Sequence, residues 1–404
     1  MGISNLSGQE LRPQFDDPPA KYGPIDCWWW EAGKLDKERM TWQLEEMKRK
    51  GISGTWFYPR LIYGEALAPT PAYWTDEWWE FFRFSMQEHR RLGLTAWTSD
   101  WTAAEYFQFQ LRDQREQEPW LTGRRLAIHK HESTGSGQVS IQIPANQAVL
   151  DAAAFEKTDR GLDETTRQPV ELDGRELLWH APTAGWVLTA VVSEPYDLDY
   201  LNRDVTERWI DVLLGEHERR VGEYLGSPLQ AYGTDELVVL QGNILVSEEL
   251  LARFETERGY DPRPLLAGMF LDVGRRTEQI RCQYYDLMVS MLEENLYRPF
   301  ADWLHQRGML YTEFCPNGKW VDMLGQTYHY GDFYRYMRHY DYPGNEEDTN
   351  RTRTFQAKLV SSIAHLYEKR ASGPLRFLGL RVGAHSRGES GVDQPELRLR
   401  HQSV

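Results

Sequence analysis

Two acidic stretches carry residue types that could do chemistry: YGTDEL (232–237) and PGNEED (343–348). Hydrolysis of a glycosidic bond needs two carboxyl groups flanking the bond, one protonated and one ionised. In the first stretch, Asp235 and Glu236 end a short strand-like run and precede the apolar segment LVVLQGN. One acid there could enter a pocket while the other meets a metal, a positive partner or solvent. In the second, Glu346, Glu347 and Asp348 follow a Pro-Gly turn. A helix N-terminus capped by Asn345 or Asp348 would account for two of those acids equally well. Asp100, close to Trp97 and Trp101, and Glu313 are further candidates.

The chain has 16 Trp and 21 Tyr among 404 residues, with a net charge of −15. Aromatic rings stack on the flat C–H faces of sugars, so this composition leans towards a glycoside or oligosaccharide partner, with use in the core as the plain alternative. The negative charge argues against a nucleic-acid backbone. No run of 18 apolar residues marks a membrane span. The N-terminus lacks the basic and apolar regions of a signal peptide, so a cytoplasmic location is expected. The three cysteines form no CxxC pair, and no phosphate loop or GxSxG nucleophile elbow occurs. His129 and His131 alternate on one strand face and read as solvated rather than metal-binding.

The elements that must position these residues alternate. Strands are expected at 25–30, 54–60 and 94–100, with helices over 36–51, 75–93 and near 103–117. From 120 to 196 the pattern turns to antiparallel strands, and strand–helix alternation then resumes over 197–370. Six strand–helix steps are legible, where a (β/α)8 barrel needs eight. The fold class expected is therefore α/β: an incomplete (β/α)8 TIM-type barrel, built from 25–119 and 197–370, with a β-rich insert. Residues 1–24 read as an extension. Residues 371–404, without Trp or Tyr, read either as a disordered tail or as a lost reading frame. Catalytic groups in such barrels sit at the C-terminal strand ends. Those ends carry Trp28, Trp30, Glu31, Tyr58, Asp100, Trp101, Asp235, Glu236, Glu313, Glu346 and Glu347. In PIDCWWWEAG (24–33), alternation puts Trp29 on one face and Trp28 and Trp30 on the other. At least one indole is expected to wall a sugar subsite, with packing in the core as the alternative for each.

Several segments, in order, resemble glycoside hydrolase family 106, the calcium-dependent α-L-rhamnosidases. They are WWWEAGKLDKERMTWQLEEMKRKGISGTWFYPR (28–60), YGTDEL, FETERGYDPRPLL (254–266), LYRPFADWLHQRGMLYTEFC (296–315) and AKLVSSIAHLYEK (357–369). The resemblance implies an inverting hydrolase with two catalytic glutamates and Ca2+ holding the sugar. By position, Glu236 is one glutamate and Glu346 or Glu347 the other. Glu368 stands where the family has glycine, and the last barrel strands and accessory domains are not recognisable. That departure keeps a catalytically inactive carbohydrate-binding or scaffold protein as the alternative.

Overall fold

The computed structural model describes residues 23–30, 33–59, 69–99, 111, 114–235, 237–314, 328–346, 354–369 and 373–375. The first helix, α1 (Lys37–Arg49), starts where the Asp36 carboxylate accepts the Arg39 amide at 2.7 Å. The second, α2 (Asp76–Leu92), starts at Thr75 and stops at Gly93, whose φ of 66° suits a residue without a Cβ. These helices are the crossovers that let β1 (Ile25–Trp30), β2 (Gly54–Pro59) and β3 (Thr95–Ser99) pair in parallel. Trp28 lies opposite Phe57 and Trp56 opposite Trp97.

The insert is antiparallel, as its alternation requires. It comprises β4 (Thr122–Glu132), β5 (Gly137–Gln142), β6 (Ala148–Thr158), β7 (Glu176–Ala181) and β8 (Trp186–Leu198). Strands β6, β8 and β4 form one sheet, and β5 pairs with β7 in a second. Strand β8 is buried on both faces. Leu188, Ala190 and Val192 join Val139, Ile141 and Leu177 in a core between the two sheets. Val187 and Val191 join Leu126 and Phe155 in the main core. This double burial explains why WVLTAVV is almost wholly apolar, unlike a one-sided strand; its one polar residue, Thr189, is buried and donates its hydroxyl to the Ala153 carbonyl at 3.0 Å. A further edge of this sheet comes from outside the insert: Leu245 and Val246 pair with Arg125 and Arg124 of β4.

After the insert, α3 (Arg203–Ile210) continues through a π turn at Asp211–Gly215 to Val221. Strand β9 (Leu229–Asp235) joins β3, and β10 (Leu310–Phe314) joins β9, both in parallel. Between them lie α4 (Glu248–Arg258), α5 (Thr277–Leu292), a π turn at Glu293–Tyr297 and α6 (Arg298–Gln306). Then follow α7 (Phe333–Met337), β11 (Gly344–Glu346), α8 (Thr354–Leu366) and β12 (Gly373–Leu375). Tyr342 bridges Thr312 in parallel, and β11 pairs in parallel with β12. The result is a half-barrel of five strands, extended by two short ones. A complete eight-stranded barrel is not formed among the described residues. Strand β12 falls inside the 371–404 segment that the sequence reading placed beyond the barrel. No described helix is long and apolar enough to cross a membrane.

The helices cover one face of the parallel sheet with aromatic rings. Trp30 packs against Phe57, Trp78 and Phe82, with centroids 4.5–6.3 Å apart. Two histidines are sealed into this layer. His89 bonds the Thr55 hydroxyl at 2.8 Å and the Ser85 carbonyl at 2.7 Å. His217 bonds the Leu213 carbonyl at 3.0 Å, inside a ring of Trp74, Trp79 and Phe82. Burial lowers both from 6.5 to about 4. An unfolded chain takes up these protons near pH 6.5, whereas the folded chain resists until about pH 4. Stability is therefore full above pH 6.5 and falls as pH drops towards 4. The loss is on the order of 3 kcal/mol for each histidine. Melting curves between pH 7 and 4.5 should show this decline, and it should be smaller in His217→Phe. A decline of unchanged size in that variant would contradict the assignment.

Candidate functional site

The face of the sheet turned away from the helices carries a different set of rings. Strand alternation places Trp29, Trp56, Trp97, Ser99, Gly233 and Thr312 on it. Trp56 and Trp97 meet edge to face at 5.3 Å, and Trp97 meets Tyr342 at 5.5 Å. Gly233 makes this floor possible, because a Cβ there would lie 2.2 Å from Cζ2 of Trp56. Trp97 and Tyr342 are partly exposed, so the floor is not sealed. Amphipathic rings on a half-open concave face suit the apolar side of a sugar.

Trp28 and Trp30 do not belong to this floor. They are 4% and 2% exposed and lie in the helix-facing layer. The Trp28 indole donates to Oε1 of Gln43 on α1 at 3.1 Å. The expectation that either walls a subsite is corrected by the pleat: their face of β1 is the one α1 and α2 cover. Trp29, on the opposite face, is the member of the run that reaches the inner side.

Glu313 is also relocated. It is 0% exposed and lies on the helix-facing side of β10, beside Thr234 of β9. It accepts a hydrogen bond from the Thr234 hydroxyl and one from the Leu237 amide at 3.4 Å. The Thr234 hydroxyl also bonds that of Tyr340 at 3.2 Å. Glu313 is therefore a buried structural acceptor and not a sugar-contacting group at the barrel mouth. Burial, reinforced by the Glu313 charge, holds the Tyr336 and Tyr340 hydroxyls protonated well above the usual range.

Of the other expected residues, Glu31, Asp100, Trp101, Glu236 and Glu347 lie outside the described residues, as does most of the helix expected near 103–117. The backbone of Tyr58 lies near the C-terminal end of β2, and Asp235 and Glu346 close β9 and β11. Parallel pairing turns all of these strand ends to one edge of the sheet, the edge used by catalytic groups in barrels.

Two devices fix the segments that carry these acids. The first is the insert, which grips residues 239–246, just beyond Glu236. The Leu126 amide donates to the Ile244 carbonyl at 2.8 Å, and Arg125 donates to Asn243 at 2.7 Å while pairing with Glu194. The Tyr196 hydroxyl reaches the Leu240 carbonyl at 3.4 Å. The second is a buried ion cluster ahead of β11. Glu293 sits among Arg335 at 2.5 Å, Arg338 at 2.5 Å and His339 at 3.1 Å. Burial alone would raise its pKa, but the His339 hydrogen bond and the two guanidinium groups outweigh this and hold it low. His129 and His131 bond Gln147 and the Ser140 carbonyl within the insert.

Sequence reasoning missed Trp56, Tyr342, the Thr234–Tyr340 contact and the Leu245–Val246 latch. Strand alternation in GTWFYPR and LTAWTSD would have paired Trp56 with Trp97. The other contacts join residues more than 100 positions apart and leave no local signal.

No protein-family model matches the chain. It is 22% identical over 430 residues to a "Putative beta-glucuronidase" of Formosa agariphila, spanning 92% of this chain and 35% of that protein. Its fold is similar to the solved rhamnosidase of Novosphingobium sp. PP1Y, with a TM-score of 0.59 and 15% identity. That likeness covers 90% of this chain and 52% of the other. The chain thus spans about a third to a half of the proteins it matches, and the half-barrel with its insert is a fold shared with the rhamnosidase.

Gly233→Ala should force Trp56 off the floor and destabilise the chain by about 1–3 kcal/mol, measured by urea unfolding. Unchanged stability would mean that Trp56 does not lie across Gly233.

Proposed function

We propose that this chain carries the active centre of a glycoside hydrolase that cleaves an α-L-rhamnosidic or related bond with inversion. The observation that carries the reading is the aromatic floor of Trp97 and Tyr342, set inside a rhamnosidase-like fold with Asp235 and Glu346 at the strand ends beside it. In this reading Glu236 and either Glu346 or Glu347 flank the sugar. One protonates the departing oxygen, and the other deprotonates the water that attacks the opposite face. Asp235 and the floor rings orient the ring, and Tyr58, Asp100 and Trp101 complete the subsite.

Calcium belongs to the same proposal. Hard oxygen ligands suit it, but no group of three or more potential ligands converges among the described residues. If the ion holds the sugar, chelation should raise KM at least tenfold and added Ca2+ should reverse the change. A KM indifferent to chelator would remove calcium from the account.

The direct test is a panel of aryl glycosides that includes α-L-rhamnoside and β-glucuronide. Glu236→Gln should lower kcat by about 10³-fold or more, as expected for loss of a catalytic carboxyl. Sugar binding, followed by calorimetry, should survive. Trp97→Ala should raise KM more than it lowers kcat. Sugar binding without turnover in the unsubstituted chain would instead favour a carbohydrate-binding protein, and absence of both would end the proposal.

A further inference from the structure

Glu313 is a fully buried carboxylate that the proposed chemistry does not use. A carboxylate in an aromatic core is costly, and an apolar side chain would pack the same space at lower cost. Its contacts say what it does there. It accepts from Thr234 and from the amide of Leu237, the residues that bracket Asp235 and Glu236 in the chain. One carboxylate thus ties the Thr234 side chain of β9 to the backbone of Leu237. The Thr234 hydroxyl is shared with the Tyr340 hydroxyl at 3.2 Å. Tyr340 lies six positions before Glu346, at the end of the segment clamped by the Glu293 cluster, and its ring packs on Tyr311 at 4.2 Å. Three successive strand steps, β9, β10 and the approach to β11, therefore meet at one hydrogen-bonded knot on the helix side of the sheet.

We propose that Glu313, Thr234 and Tyr340 form a positioning triad that fixes the separation of the two catalytic carboxylates, holding Glu236 through the β9 end and Glu346 or Glu347 through the β11 approach. The inference rests on the functional reading above. The triad touches no substrate. An inverting pair must keep a gap of about 6.5–9.5 Å to admit water, and a small displacement of either acid costs rate without weakening sugar binding. The hydroxyls of Tyr297 and Tyr336, buried and without hydrogen-bond partners among the described residues, border the same carboxylate.

The test uses the 404-residue chain with Thr234→Val, Thr234→Ser and Tyr340→Phe. Each is read by melting temperature, by kcat and KM on the best glycoside of the panel, and by amide exchange of residues 234–244. Thr234→Val and Tyr340→Phe should lower kcat about 10- to 100-fold with KM within about twofold. Exchange at 237–242 should quicken, and Thr234→Ser should restore both readouts. Should Thr234→Val fail to fold, Tyr340→Phe decides. Unchanged kcat in Tyr340→Phe, or a loss shared equally by Thr234→Ser, overturns the triad. If the unsubstituted chain hydrolyses nothing, the functional reading falls on its own. Exchange at 237–242 then decides the triad: faster in the variants at an unchanged melting temperature supports it, and unaltered overturns it.

Discussion

Everything in this molecule follows from the two-residue period of a parallel sheet that helices cover on one side. Each strand must offer alternate residues to the helix layer and to the concave inner face, and the two faces face different demands. On the helix side the demand is close packing, met by Trp28, Trp30, Phe57, Trp78 and Phe82. On the inner side the sheet is not closed into a full barrel among the described residues, and rings such as Trp97 and Tyr342 stay partly exposed there. The triple tryptophan that looks redundant in the sequence is divided by this rule between a core and a surface.

The same rule explains where one buried charge sits. Glu293 is buried in the π turn between α5 and α6, whereas Glu313 is withdrawn from water on the helix side near the end of β10 rather than in mid-sheet. There the backbone leaves the ladder and its amide and neighbouring hydroxyls need acceptors, so a carboxylate finds partners that a mid-strand position would not supply. The insert acts in parallel from the other direction. Its sheet borrows Leu245 and Val246 as an edge strand, so the polypeptide leaving β9 is held by Glu313 at one end and by β4 at the other. A loop so anchored is a sound place for side chains that must keep fixed geometry.

Much of the fold was legible in the sequence because its signals are local. The Thr75 cap, the Gly93 stop, the helix over 37–49 and the change of period at the insert each appear within a dozen residues. The strand that ends at Asp235 followed from the same alternation, whereas the short strand expected near YDYP (340–343) lies further on, at Gly344–Glu346. What failed was the assignment of faces. Trp28, Trp30 and Glu313 were placed at the mouth because a strand end carries no mark of which side a helix will cover; only packing against α1, α2 and the Tyr311–Tyr340 layer decides it. The seventh strand position, at 373–375, was hidden by a composition unlike the rest of the chain.

The claim at the centre of this account is that a sugar lies on the inner aromatic floor between two carboxylates. A crystal structure of the chain soaked with an unreactive rhamnoside tests it most directly. The account predicts a pyranose ring against Trp97 and Tyr342, with Glu236 on one side and Glu346 or Glu347 on the other, their carboxyl groups about 6.5–9.5 Å apart. A sugar bound away from this floor, or a floor crossed by carboxylates that do not converge on it, would contradict the account.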